Sequence, residues 1–338
     1  MKIAIHHKEN DFSSSWIEHC EKKQIDYKIV NCYDNDIIDQ VNDCDALMWH
    51  FHHAKPEDVL FAKQLIYALQ TSGKKVFPNF QTSWHFDDKV GQKYLLEAIG
   101  ASLVPSYVFY DKQKALQWIG ETTFPKVFKL RKGAGSAHVK LVKNKSDARK
   151  LVLKAFSRGF SQYDKVANLK DRWYKYKKGK TGLWNLVKGV LRFAKTTEFA
   201  RTEGREKGYI YFQDFIPDND HDIRVVVIAD RAYTIKRMVR ESDFRASGSA
   251  IKYMDKELFK EGTIKLAFEI TEKLEAQCLA FDFIYDGEEP KIVEISYGFR
   301  THEFPGFWDR DLNWHEGSSN APGYMVESLT ASIQSEIV

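Results

Sequence analysis

The sequence predicts an α/β chain: a small parallel sheet followed by α+β lobes. Three observations predict it. Over the first hundred residues, short apolar runs alternate with segments of helical spacing, which implies parallel strands joined by crossover helices. Two later apolar runs, 279–285 and 291–295, flank Asp286-Gly287-Glu288-Glu289 and predict a hairpin. Each of these runs carries one carboxylate, Asp282 or Glu294, inside an otherwise apolar strand.

Each element has its own local reason. Residues 2–6 form a first apolar strand, and Ser13-Ser14-Ser15 offers a cap for a helix through Cys20. Residues 27–30 and 46–51 read as strands. Pro56 opens a helix with Val59, Leu60, Lys63, Ile66 and Tyr67 in helical spacing, stopped by Gly73. A short strand at 76–77 precedes Pro78. A helix over 87–100 gathers Val90, Tyr94, Leu95, Ala98 and Ile99 on one face and ends at Gly100. Strands follow at 106–110 and 124–130. The second enters Lys132-Gly133-Ala134-Gly135-Ser136, and 139–142 returns as its partner. Ser146 is expected to cap a helix through Phe156. After a basic, aromatic segment come a strand at 209–215 and a hairpin of 223–228 with 233–238. A long helix is expected over 257–276, then a loop-rich tail before a last helix at 324–333. No internal repeat is present.

With 338 residues the chain can bury a large core and form more than one lobe. It is 43% hydrophobic and 29% charged, the balance of a soluble globular protein. No apolar run approaches a membrane span, and the start lacks the apolar core of a signal peptide. Cys20, Cys32, Cys44 and Cys278 form no CxxC pair and no zinc spacing, so a reduced cytoplasm is the expected setting. The net charge of +4 is uneven: 157–207 holds fourteen Lys/Arg against five Asp/Glu, leaving the rest mildly acidic.

Carboxylates on buried strands are costly unless they hold a cation, and arginines beside them suit phosphate oxygens. Asp282 and Glu294 lie on paired strands, so they should come close together. A pair of magnesium ions bridging phosphates would relieve their repulsion. One exposed edge position per strand is the bland alternative. Lys129 ends an apolar strand just before glycines that let backbone approach a phosphate, whereas an exposed lysine in a hairpin is the alternative. The loop is neither a Walker A loop nor a dinucleotide fingerprint. Arg237 and Arg245 flank the acidic turn 241–243. Small residues after Arg245 permit tight approach to a bound group, where a solvated charged hairpin would not need them. His50, His52 and His53, like His6 and His7, crowd strand ends and read as crevice lining, not as a zinc site. Together these features suggest ATP–Mg chemistry.

The ordered set resembles the ATP-grasp superfamily, and within it the RimK-like carboxylate–amine ligases. It comprises Asp88-Lys89 at a helix start, Lys129 before a Gly-rich loop, Gln213-Asp214-Phe215-Ile216, Asp222-Ile223-Arg224, Asp243-Phe244-Arg245, Asp282 and Glu294. The resemblance spans roughly 88–298. It implies an ATP-grasp fold with an N-terminal Rossmann-like pre-grasp domain over 1–85, an ATP-grasp domain over 86–335, and a lid lobe over about 120–212 that contains the basic insert 157–207. By resemblance, Lys89, Lys129 and the loop residues Gly133, Gly135 and Ser136 meet phosphates. The backbone of Asp214 and Phe215 holds adenine, and Asp222, beside Arg224, meets the ribose or its surroundings. Arg245, with Ala246 and Ser247, faces the transferring phosphoryl, with Arg237 as the second catalytic arginine. Asp282, Glu294 and Ser296 bind magnesium. Ser296 departs from the family, which usually has Asn there. Asp214 stands where Glu is commoner, and the insert is longer than usual.

The reaction implied is ATP-dependent amide formation from a carboxylate and an amine through an acyl-phosphate, ADP being released. The competing class is a phosphotransferase or a nucleotide-dependent binding protein that forms no amide. Tryptophans in the segment 304–316 could serve as platforms for a sugar ring. The resemblance extends loosely to enzymes of bacterial surface-polysaccharide pathways, with a uronic acid as the carboxylate. Within 171–201, apolar residues alternate with Lys188, Arg192 and Lys195, which suits a basic amphipathic helix on the inner face of an anionic membrane. A helix packed on the lid with a solvated basic face is the alternative. Nucleic acid is disfavoured, since no RNA-binding motif accompanies the aromatics.

Overall fold

The computed structural model describes residues 1–133, 138–162, 181–191, 204–239, 243–246 and 251–335, together with 169, 172, 173, 176, 177, 179 and 202. The N-terminal part is the expected β/α alternation: β1 Lys2–His6, α1 Phe12–Lys23, β2 Asp26–Val30, α2 Ile37–Gln40, β3 Ala46–Met48, α3 Pro56–Thr71 and β4 Lys75–Phe77. Its four strands form a parallel sheet in the order β2-β1-β3-β4. Helix α1 starts earlier than the serines suggest. The Asp11 carboxylate accepts the Phe12 N–H, while Ser13 Oγ is occupied with the Lys8 backbone.

The short α4 Phe80–Ser83 leads to α5 Lys89–Ala98, capped by Asp88, whose Oδ1 accepts the Gly91 N–H at 2.9 Å. The next sheet is built from β5 Ser106–Phe109, β6 Lys126–Lys129, β7 Lys140–Val142 and β10 Ile210–Asp214, in the order β5-β10-β6-β7. Helices α6 Lys112–Glu121 and α7 Lys145–Ala155 cover it and share its core with Phe128 and Phe212. Asn144, not Ser146, caps α7, because its Oδ1 lies 2.9 Å from the Asp147 N–H. Two-residue strands β8 Phe160–Ser161 and β9 Arg205–Glu206 pair beside this sheet, and α8 Leu183–Leu191 lies in the insert.

The central sheet holds β11 His221–Ile228, β12 Arg231–Met238, β13 Lys252–Tyr253, β14 Cys278–Asp286, β15 Glu289–Ser296, β16 Phe304–Trp308 and β17 Trp314–Ser319. Its order is β15-β14-β11-β12-β16-β17, with β13 pairing β12. The expected long helix 257–276 is a 3₁₀ turn, Lys256–Leu258, followed by α9 Glu261–Lys273. The tail, expected to be loop, contributes the hairpin β16–β17. Pro305 and Gly306 hide its alternation. At Gly306 a side chain would meet the His315 carbonyl at 2.3 Å, so only glycine permits this close backbone approach. Helix α10 Ala321–Gln334 closes the chain.

One core joins Ile3, Ile5 and Trp16 of the N-terminal unit to Val226 and Ile228 of β11 and to Met325 and Leu329 of α10. The parallel sheet is therefore seated on the central sheet through α10. On the other side of the central sheet, α9 packs over Val225, Val227 and Phe281. Sequestering these apolar faces is the main favourable term holding the units together. It also brings the ends of three sheets to one place.

Candidate active site

A cavity of about 1060 Å³ opens where those sheet ends meet. His50 and His52 line it from the N-terminal unit, Lys129 and Asp214 from the β5-β10-β6-β7 sheet, and Arg224, Asp282 and Glu294 from the central sheet. The proposed nucleotide, metal and catalytic residues that fall within the described residues, from Lys89 and Lys129 to Asp282, Glu294 and Ser296, line this cavity, whereas His6 and His7 do not. Gly135, Ser136 and Ser247 lie outside the described residues.

The charged residues of the central sheet interlock by strand register. Asp222 stands opposite Arg237, Arg224 opposite Asp282, and Asp282 opposite Glu294. Arg224 donates Nε to Asp282 Oδ1 at 2.7 Å and Nη2 to Oδ2 at 2.9 Å. Arg237 donates Nε to Asp222 Oδ1 at 2.6 Å and Nη2 to Oδ2 at 2.5 Å, and its Nη2 is also 2.9 Å from Asp282 Oδ2. Burial opposes charge on Asp282, but Arg224 and Arg237 hold its carboxyl well below the usual range. Asp222 moves the other way, because burial and the nearby Asp282 charge outweigh Arg237. Bidentate pairs of this kind are the strong form of the arginine–carboxylate contact.

Lys89 and Lys129 are both buried beside the acid row. Lys89 stands in the first turn of α5, where the helix dipole disfavours a cation. Three oxygens offset this: the Gly133 carbonyl at 2.9 Å, Glu294 Oε1 at 3.2 Å and Asp87 Oδ1 at 4.0 Å. Burial lowers its pKa, yet Glu294 and Asp87 raise it above the ordinary lysine value overall. Lys129 is less well served. Among the described residues its Nζ has one acceptor, the Val293 carbonyl at 3.5 Å. Burial pulls its pKa down to about 8, against the opposing charges of Glu294 and Asp282. A buried ammonium with so weak a partner fits an anion in the cavity.

The remaining candidates frame the cavity. Gly133 takes a φ of 124°, donates its N–H to Asp87 Oδ1 at 2.9 Å and turns its carbonyl to Lys89. The Asp214 carboxylate accepts Lys126 Nζ at 2.6 Å, and its N–H is committed to the Pro105 carbonyl at 2.9 Å. Any backbone donor at this hinge must therefore lie beyond Asp214. Phe215 packs edge-on against Phe244, with ring centroids 5.9 Å apart. Arg245 is forked onto Asp243, with Nη2 2.5 Å from Oδ2, and Ala246 is buried beside it. Ser296 Oγ donates to the Gly298 carbonyl at 2.8 Å.

Other cavity residues were not singled out from the sequence. Asp87 precedes the conspicuous Asp88-Lys89 pair, and burial pushes its pKa up to about 6. Asp11 hydrogen-bonds His50 Nδ1, and His50 stacks on Phe12. Lys252, Arg300 and His302 also line the cavity. Nothing in their local sequence marks them, since they reach it from β13 and from a loop after β15. The histidines 50, 52 and 53 line the crevice as expected, but His6 and His7 do not: His6 is buried in the N-terminal sheet, where its Nδ1 accepts the Cys32 N–H at 3.0 Å, and His7 lies against Ser13 Oγ. Trp308 instead packs in the core against Trp314, with centroids 5.3 Å apart, and neither ring lines the cavity.

Among the described residues no three His, Cys, Asp or Glu side chains gather into a metal cage. Magnesium is usually held by one or two carboxylates together with phosphate oxygens. The neighbouring oxygens of Asp282 and Glu294 match that donor set.

Residues 187–304 match the family described as the RimK-like ATP-grasp domain. Among curated proteins none matches the chain. A RimK-domain ATP-grasp protein from Sphaerobacter thermophilus is 15% identical, with a TM-score of 0.51 over 87% of this chain and 90% of that one. A D-alanine–D-alanine ligase from Bacillus anthracis is 15% identical, with a TM-score of 0.54 over 99% of each chain. The ATP-grasp ligase PsnB, in complex with a minimal precursor, is 11% identical, with a TM-score of 0.54 over 98% of each chain. The protein therefore has the ATP-grasp fold, and its residues 187–304 are similar to the RimK-like ATP-grasp domain.

Proposed function

We propose that the protein is an ATP-dependent carboxylate–amine ligase. The observation that carries this reading is the convergence of buried Lys89 and Lys129 with Asp282 and Glu294 in one cavity. The solved ligases of the same fold support it: the Bacillus anthracis enzyme, also known bound to ATP, joins two D-alanines, and PsnB acts on a peptide precursor.

In this reading a substrate carboxylate oxygen bonds to the γ-phosphorus of ATP. The bond from that phosphorus to the β–γ bridging oxygen breaks, and ADP leaves with its electron pair. The amine then attacks the acyl carbon, phosphate departs, and the amine nitrogen loses a proton. Lys129 and Lys89 position phosphates, while Arg245 and Arg237 face the charge on the moving phosphoryl group. Phe215 and the backbone after Asp214 seat the base, Asp222 and Arg224 brace the cavity wall, and the loop from Gly133 covers the phosphates. Asp282 and Glu294, with Ser296 as a third oxygen, would hold magnesium, which when bound would supply positive charge against phosphate oxygens. The protein otherwise contributes position and charge, not covalent chemistry. The proposed organisation is a pre-grasp unit over 1–85 and an ATP-grasp unit over 86–335.

ADP release should require both a carboxylate and an amine. A screen of uronic acids and amino acids tests this. Because the first step needs only the carboxylate, the screen is read over many turnovers, and sustained release with a phosphoryl acceptor but no amine would replace the ligase by the phosphotransferase reading. The glycan acceptor rests on resemblance alone, because the tryptophans lie off the cavity. No helix among the described residues is long and apolar enough to cross a membrane. Helix α8 does expose Leu183, Trp184 and Val190 beside Lys188, which supports a peripheral contact with anionic lipid as a second proposal.

A further inference from the structure

The charges lining the cavity change sign across the central sheet. Glu294 and Asp282 mark the acidic end, on β15 and β14. Arg224 and Arg237 come next, and their charges are matched by Asp282 and Asp222. Beyond them Arg237 faces Lys252 across β12 and β13. Lys252 Nζ lies 3.0 Å from His302 Nε2, and Arg300 stands two residues before that histidine. Lys252, Arg300 and His302 all line the cavity. Lys252 and Arg300 are exposed at the cavity mouth, and no carboxylate among the described residues pairs with either of them.

The electrostatics agree with the geometry. Burial lowers the Lys252 pKa, and the further causes are all cations: Arg300, Arg237 and Arg224. His302 is pulled down to about 4 by burial, then by Lys252 and Arg300. At neutral pH its imidazole is therefore uncharged and accepts from Lys252. Like charges crowded around a cavity destabilise the resting protein, and a bound anion removes that cost.

The geometry points to a second anion subsite at Lys252, Arg300 and His302, which binds a carboxylate or phosphate group of the substrate distinct from the carboxylate that is activated. This rests on the ligase reading, and it narrows the substrate to an acid carrying a further anionic group. The site is separated from the acid end by the Arg224–Asp282 and Arg237–Asp222 pairs. A group held there leaves the phosphoryl-transfer end free for a second carboxylate of the same molecule.

The test uses the full chain with saturating Mg²⁺ and AMP-PNP, so that the nucleotide end is occupied. The His302 imidazole titration is followed by proton NMR and assigned with His302→Asn. Sulfate stands in for a phosphate ester and glutarate for a carboxylate, each at an ionic strength held constant with NaCl. An anion bound there should raise the His302 midpoint by about one pH unit, which corresponds to about tenfold tighter anion binding to the protonated form. Arg300→Ala and Lys252→Ala should each remove the rise. A second readout avoids acid: at neutral pH the same anions should raise the melting temperature of the wild type but not of the double variant. A response to sulfate alone assigns a phosphate ester, and to glutarate alone a carboxylate. No response by either readout, with AMP-PNP still bound, overturns the subsite and leaves the ligase reading standing. Failure of AMP-PNP to bind would count against the ligase reading instead, and the anion responses would still decide the subsite.

Discussion

Arg224 holds both oxygens of Asp282, Nε on Oδ1 at 2.7 Å and Nη2 on Oδ2 at 2.9 Å. Glu294, directly opposite Asp282 across β14 and β15, pairs among the described residues with Lys89 alone, at 3.2 Å. The two carboxylates therefore have different duties in the resting protein. Asp282 neutralises the half-buried Arg224 and the buried Arg237, while Glu294 keeps more of its oxygen surface toward the cavity.

That difference predicts different mutant behaviour. Glu294→Gln should reduce ADP formation by at least about 100-fold through lost charge on the phosphate side, with little change in unfolding. Asp282→Asn should lose turnover too, but it should also cost about 3 kcal/mol of stability by leaving the buried Arg237 and the half-buried Arg224 short of charge. Urea unfolding and ADP release at saturating Mg²⁺, measured on both variants, check this. Near-normal turnover in either would remove that residue from the proposed metal set.

Lys129 predicts a pH dependence. Its pKa is lowered in the folded protein to about 8 from the ordinary 10.5. Between those values the unfolded chain binds more protons, so stability of the nucleotide-free protein should rise as pH climbs through that window. Nucleotide affinity should run oppositely. Phosphates need the charged ammonium, so the Kd of Mg–AMP-PNP should weaken above about pH 8, by up to about tenfold per unit. Lys129→Arg should flatten that profile. Titration calorimetry over pH 7–10 measures it, and a flat wild-type profile would contradict the phosphate role.

Lys129 and Arg245 should separate in steady-state kinetics. Lys129→Ala should mainly raise the KM for ATP, because it meets phosphates in the ground state. Arg245→Ala should mainly lower kcat, because its charge matters as the phosphoryl group moves. Asp243→Asn, which frees the Arg245 fork, should perturb kcat in the same way but less. The reverse split between the first two would mean that their roles are exchanged.

Helix α8 predicts a salt-sensitive surface contact. Anionic vesicles should co-sediment with the protein at low salt and release it as ionic strength rises, since exposed charges are screened over roughly 10 Å at about 0.1 M. Trp184→Glu should abolish binding, and a short Gly/Ser bridge in place of 171–201 should leave nucleotide binding unchanged. No vesicle binding by the intact protein would leave α8 as a lid embellishment.

Much of this site was legible because its signals are local. Asp222-Ile223-Arg224, Asp282 and Glu294 stand out as charges inside apolar strands, and a hairpin turn links the last two. Lys129 before glycines and Asp88-Lys89 at a helix start are equally local. The parallel N-terminal sheet followed from alternating strand and helix patterns. The caps were harder, since Asp11 and Asn144 compete with nearby serines and only backbone geometry chooses between them. The hairpin β16–β17 was hidden because Pro305 and Gly306 interrupt its alternation.

Which partner each charge takes lay beyond any local pattern. Strand register puts Arg224 on Asp282 and Arg237 on Asp222, and a one-residue slip would turn those side chains to the other face. Trp308 looked like an exposed platform, but packing of the last hairpin on the sheet buries it. Asp11, His50, Lys252 and Arg300 reach the cavity only because separate sheets converge there. Each motif of the family resemblance is local in sequence, and their order along 88–298 is legible without the fold. The pairing of charges, the lowered pKa of Lys129 and the cationic end of the cavity arise from contacts between distant segments, and folding alone creates the burial that gives them their energies.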